Sequence, residues 1–185
     1  SIIPRGRMGG YTLSLPTEDK SYMSKTSMTD KIIILLGGRV AEKLALDDIS
    51  TGAANDLERA TSIARKMVMK FGMSEKLGSM TFGTSNEEVF LGKDYGHTRD
   101  YSEAIASEID MEIKNIIDIA YEKCTELIKA NMDKLSQIAE MLLQKETIAA
   151  EEFEEIFSGK KQDSSNDEAL DSKEEQDSAP EKDKE

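Results

Sequence analysis

Residues 102–130 read SEAIASEIDMEIKNIIDIAYEKCTELIKA. Ile105, Ile109, Ile113, Ile116, Ala120, Cys124 and Leu127 recur at spacings of three and four, which predicts one long helix with a single buried seam. Asn131 stands where a cap for a further helix over 132–145 is needed, with Leu135, Ile138, Ala139 and Leu142 inside. A last short helix over 148–158 carries Phe153 and Phe157. Upstream, Leu57, Ala60, Ile63, Ala64, Met67, Val68 and Phe71 repeat with the same period and stop at Gly72. A helix from about Ser27 to Leu46 has Ile33, Leu36, Val40 and Leu44 as its stripe, flanked by Ile34 and Ala41. Gly37-Gly38 inside it costs helix stability, about 1 kcal/mol per glycine, and suggests that another backbone comes close. Residues 78–92 read as extended or loop structure.

The N-terminal end differs. Ser1-Ile2-Ile3 and Tyr11-Thr12-Leu13-Ser14-Leu15 are β-like runs separated by the glycine-rich Pro4–Gly10 stretch, which predicts a hairpin with a long loop. From Lys160 onward ten acids face five lysines, with Leu170 as the one large aliphatic, so residues 160–185 are expected to be a disordered tail of net −5. The expected architecture is therefore mainly α, with a small N-terminal β-hairpin, one domain over 1–159 and an acidic, disordered C-terminal tail. The chain starts at Ser1, without an initiator Met and already strand-like, and reads as a piece of a longer protein.

Composition narrows the function. The 185 residues carry a formal charge of −13, one Cys, one His and no Trp. A lone Cys forms no internal disulfide and fits a reducing compartment. The acidic balance argues against nucleic-acid binding, which needs a basic face. No apolar run reaches the roughly 18 residues of a membrane span, and no secretory signal is present. Gly83 to Lys93 lacks the phosphate-loop spacing, and Asp94 stands where Ser or Thr is required. His97 has no histidine partner and sits in a polar stretch, so this chain holds no His-pair metal site. Cys124 falls on the apolar seam and reads as a small hydrophobe. Asn55-Asp56 opens a helix, where a carboxylate is favoured by the helix dipole by about 1 kcal/mol at most. Glu42, one turn after Gly37-Gly38-Arg39, reads on its own as a solvated helix residue.

Six ordered blocks change that reading. They are Ile2-Ile3-Pro4-Arg5-Gly6-Arg7; Gly10-Tyr11-Thr12; Leu36-Gly37-Gly38-Arg39-Val40-Ala41-Glu42; Ser50 through Thr61; Phe71-Gly72-Met73-Ser74-Glu75-Lys76-Leu77-Gly78; and Val89-Phe90-Leu91-Gly92. Together they resemble the C-terminal peptidase domain of FtsH, the membrane-anchored ATP-dependent zinc metalloprotease, over roughly residues 1–158. The resemblance implies a helical metalloprotease-type domain that assembles as a homo-hexamer beneath its own ATPase ring, which binds ATP and Mg2+. It implies Zn2+ held by the two histidines of a His-Glu-x-x-His helix and by an aspartate that matches Asp56. It implies unfolded and membrane proteins as substrates, a membrane tether, and a place at the cytoplasmic face of the bacterial inner membrane. Glu42 matches the family's glutamate and is the candidate for orienting a ligand histidine. Gly10, Tyr11, Thr12 and Leu13 are the candidate strand for pairing with substrate backbone.

The His-Glu-x-x-His motif is absent from these residues, so no catalytic residue is assigned in this chain, and the chain alone is expected to be inactive. The competing reading is a non-catalytic helical assembly module of the same fold. An unrelated acidic adaptor would require all six blocks to be coincidental.

Overall fold

The computed structural model describes residues 1–6, 9–13, 22–83 and 101–158. His97, the 84–92 part of the expected loop and the acidic 160–185 segment lie outside the described residues. Among the described residues five α-helices follow one another: α1 Lys25–Leu46, α2 Ala54–Met69, α3 Glu103–Ala130, α4 Met132–Lys145 and α5 Ala150–Ser158, with a short 3-10 turn at Thr51–Ala53 leading into α2.

α1 begins two residues before the periodicity alone predicts, because Ser24 caps it. The Ser24 backbone is extended, and its Oγ accepts the Ser27 N–H at 3.1 Å. Ser102 does the same for α3, accepting from the Ile105 N–H. The expected cap at Asn131 is corrected. Its side chain makes no cap bond to α4; instead Nδ2 donates to the Leu127 carbonyl at 2.9 Å, satisfying one of the last acceptors of α3.

α1, α2 and α3 pack against one another and form the core. Ile32, Leu36, Val40, Ala60, Ala64, Met67, Val68, Ile109, Ala120 and Cys124 are almost fully buried in it. α4 leans on α3 and α5 on α4, and neither contributes a fully buried residue. Phe153 and Phe157 stay half-exposed, stacked on each other at 5.0 Å. Leu127 is likewise exposed, and its neighbour Ile128 packs against the core instead. Phe71 lies beyond the end of α2 and is not part of its seam.

The α1 stripe needs two corrections. Ile34, expected beside the stripe, is 76 % exposed. At 100° per residue it stands almost opposite Leu36, and the buried side turns through Met28, Ile32, Leu35, Leu36 and Val40. Gly37 and Gly38 do not mark a close backbone: a Cβ at either would meet nothing within 4 Å among the described residues. Gly38 shares the open face with Ile34.

Gly72 is the opposite case. Its φ is +57°, and a Cβ there would meet the backbone of Ser79 and Met80 at 3.1 Å. This lets the chain reverse after α2, with the Met73 N–H bonded back to the Met67 carbonyl at 2.9 Å. Gly72→Ala is expected to cost about 1–3 kcal/mol, and Gly38→Ala to gain up to about 1 kcal/mol. Chemical unfolding of the two variants checks both signs.

The reversed segment is fixed to α3 by a buried carboxylate. Glu112, only 6 % exposed, accepts the Ser74 hydroxyl at 2.7 Å and lies 3.4 Å from Lys76 Nζ. Ser74 Oγ in turn accepts the Leu77 N–H at 3.2 Å. No buried side-chain polar atom among the described residues is left without a partner.

No strand forms among the described residues. Arg7, Met8, Ser14 and Leu15 of the expected hairpin lie outside the described residues; within them one reciprocal pair joins its two runs, with Ser1 N donating to the Tyr11 carbonyl at 3.0 Å and the Tyr11 N–H to the Ser1 carbonyl at 2.9 Å. The segment is held from the far end of the chain, where the Ile2 N–H donates to the Glu146 carbonyl at 2.9 Å and Thr147 Oγ1 to Ser1 Oγ at 3.0 Å. No helix among the described residues is long and apolar enough to cross a membrane.

Candidate functional site

The turn from Ser50 to Asp56 joins α1 to α2. Ser50 has an extended backbone, and its Oγ accepts the Gly52 N–H at 3.1 Å, which starts the 3-10 turn at Thr51–Ala53. Ala53 is buried and anchors that turn on the core. α2 starts directly behind it and places Asp56 in its first turn. The Asp56 carboxylate is 47 % exposed, with Arg59 Nη1 3.6 Å away, one turn along the same helix. That is a screened surface pair that holds the carboxylate only weakly.

The turn is fastened to α1 by Glu42 and Arg39. Glu42 Oε1 accepts the Ser50 hydroxyl at 2.6 Å, and Oε2 accepts the Ser50 N–H at 3.1 Å. Arg39 Nη1 donates to the Ser50 carbonyl at 3.0 Å and stands 4.0 Å from Glu42 Oε2. Every polar group of Ser50 is thereby engaged. Sequence reasoning missed Ser50 and Arg39 as part of this arrangement. The available signal was a serine directly before Thr51-Gly52, an N-cap pattern.

The Ser50 hydroxyl first, then its N–H, hold the Glu42 carboxyl below its ordinary value of 4.5, and Arg39 adds to the effect. A depressed carboxylate favours the folded turn above the ordinary value and loses that contribution as pH falls through the depressed one. The Ser50 and Gly52 amides are therefore expected to be protected from hydrogen exchange at pH 6 and to lose that protection as pH falls below the ordinary value of 4.5 and through the depressed one. Amide exchange followed by NMR reads this directly.

The other sequence-nominated residues lie elsewhere. Gly10 is half-buried beside Ser1, while Tyr11, Thr12 and Leu13 are exposed, with the Arg5 guanidinium 4.9 Å over the Tyr11 ring. No hydrogen bond or ion pair joins them to Asp56 among the described residues. Cys124 lies in the core, and desolvation raises its thiol pKa, which suits packing rather than nucleophilic attack. A cavity of about 390 Å³, not foreseen from the sequence, opens between the 76–82 segment and the start of α3, lined by Leu77, Met80, Phe82, Tyr101 and Ile105, with Lys76 at its edge.

A catalytic zinc site takes three protein ligands and keeps one position open. No group of three candidate ligands exists among the described residues. Asp56 alone fits as a contributor: it is accessible, weakly paired and carried on a turn fastened at both ends.

The model of peptidase family M41 matches residues 1–156. The chain belongs to peptidase family M41. Among its M41 relatives is the ATP-dependent zinc metalloprotease FtsH 1 of Thermoanaerobacter sp. (strain X514), 64 % identical over 159 residues, covering 86 % of this chain and 26 % of the relative. The ATP-dependent zinc metalloprotease FtsH of Caldicellulosiruptor bescii is 61 % identical, covering 84 % of this chain and 25 % of its own length. The Bacillus subtilis (strain 168) protein of the same name is 49 % identical, with 85 % and 25 % covered. The chain thus spans about a quarter of the length of these M41 relatives.

Proposed function

We propose that this chain is the C-terminal part of the peptidase domain of an ATP-dependent zinc metalloprotease and that Asp56 is the third protein ligand of its zinc. The observation that carries the reading is the placement of Asp56. It is an accessible carboxylate on the first turn of a helix whose entry is tied to α1 through Ser50. The two ligand histidines and the glutamate general base lie outside these 185 residues, since the one histidine here, His97, supplies no pair. Zinc bound by three protein ligands supplies an activated water, its pKa lowered towards neutrality. Within this chain, Asp56 binds and orients the metal, and the Gly10–Leu13 stretch, whose Tyr11 backbone is paired with Ser1, offers the backbone of the exposed Thr12 and Leu13 to an extended substrate. Unfolded and membrane proteins are the substrates. The working enzyme is a homo-hexamer, tethered at the cytoplasmic face of a bacterial inner membrane, whose ATPase segments bind ATP and Mg2+.

The test uses the 185-residue chain itself. Equilibrated with micromolar zinc and gel-filtered, it is expected to retain far less than one equivalent and to leave an unfolded protein substrate uncut. Stoichiometric zinc retention or proteolysis by this chain overturns the proposed division of ligands.

A further inference from the structure

We infer that Glu42 is a positioning residue for Asp56, acting through Ser50 and the turn that starts α2. The inference rests on the reading of Asp56 as a zinc ligand and adds how that ligand is held.

Four observations support it. Both Glu42 oxygens are committed to Ser50, one to the hydroxyl at 2.6 Å and one to the N–H at 3.1 Å. The hydrogen bonds Glu42 makes among the described residues therefore both go to the turn. Arg39 closes the same residue from its carbonyl side at 3.0 Å, so two side chains one turn apart on α1 grip a single residue of the connection. Ser50 Oγ passes the constraint on by accepting the Gly52 N–H, and a Cβ on Gly52 would stand 3.2 Å from that Oγ and 3.8 Å from Glu42 Oε1. From there a rigid path of one 3-10 turn and the first turn of α2 leads to Asp56, with Ala53 packed into the core between them.

Among the described residues Asp56 itself has only a weak pair with Arg59 to hold it. Its placement therefore depends on the backbone that carries it, and that backbone is set by the Glu42–Ser50–Arg39 arrangement. A ligand kept near its bonding position costs less ordering when the metal arrives, and loss of such support characteristically weakens metal binding about 10–100-fold.

The experiment measures zinc affinity in the complete protease by competition with a chromophoric chelator, alongside thermal unfolding of the zinc-free protein. Glu42→Ala is expected to weaken zinc binding about 10–100-fold in folded protein. Glu42→Gln is expected to restore most of it, because an amide can accept from the Ser50 N–H and donate to its Oγ. Ser50→Ala should fall between the two. Asp56→Ala is the control. If it leaves zinc affinity unchanged, the ligand reading fails and takes this inference with it. If it abolishes binding while Glu42→Ala binds zinc as wild type does, this inference alone is overturned. A lowered unfolding temperature with unchanged zinc affinity also overturns it, since that is what a purely structural Glu42 would give. Should Glu42→Ala not fold, Ser50→Ala decides: weakened zinc binding supports positioning, and wild-type affinity overturns it.

Discussion

Asp56→Ala in the complete protease is expected to abolish peptide hydrolysis, by at least about 100-fold, the upper end of what loss of a mere supporting group around a metal produces. Zinc should be lost in parallel. The helical fold should survive, because Asp56 is half-exposed and its ion pair with Arg59 is a surface pair worth about 1 kcal/mol or less. Asp56→Asn tests the charge separately. A neutral amide keeps the size of the side chain but is a poor zinc ligand, so its activity should fall nearly as far. Zinc content by atomic spectroscopy, circular dichroism and a peptidase assay on the same preparations check the expectation. Full activity in Asp56→Ala would return the residue to helix-end electrostatics.

Leu36→Ala is expected to destabilise the folded helices by about 2–5 kcal/mol. Leu36 is 1 % exposed at the centre of α1, packed in the core that α1 shares with α2 and α3, so the lost contacts leave a cavity that three packed helices close only in part. Ile34→Ala, two residues away on the same helix, should change stability by less than about 0.5 kcal/mol, because its side chain is exposed. At roughly 2–4 °C per kcal/mol for a chain of this size, the first variant should melt about 5–20 °C lower and the second almost unchanged. Equal effects from the two would mean that α1 is turned differently on its neighbours.

That pair of variants also shows what periodicity can and cannot say. Spacings of three and four located α1, α2 and α3 because only those intervals keep side chains on one helical face. The bounds of α4, Met132–Lys145, were legible for the same reason. The rotation of α1 was less so: Ile32, Ile33 and Ile34 are chemically alike and adjacent, and only the positions of α2 and α3 decide which are covered. Glu112 escaped notice although it sits three residues after Ile109, on the buried seam. A carboxylate there is tolerated only because Ser74 and Lys76, nearly forty residues earlier, reach it. The paired glycines misled in the other direction, since cost to a helix does not reveal whether anything approaches it. At the N-terminus, local strand propensity suggested a hairpin, but a strand is defined by its partner, and among the described residues the pairing between its two runs is Ser1–Tyr11, supported from Glu146.

Of the candidate site, Asp56 and Glu42 were named by resemblance to the family whose model matches residues 1–156. Their chemistry was not legible residue by residue: an aspartate in a first helical turn and a glutamate on a helix are both ordinary. The sequence by itself determined the helical class, the order of the helices and the family, because these depend on local periodicity and on literal runs of residues. Only the tertiary structure decided that Glu42 and Arg39 grip Ser50, that Asp56 stands accessible on the turn they fasten, and that Glu112 pins the segment after α2. Those contacts join residues that are distant along the chain, or on separate elements. Such contacts form only when burial of the α1–α2–α3 core brings the elements together and makes up for the entropy of ordering them.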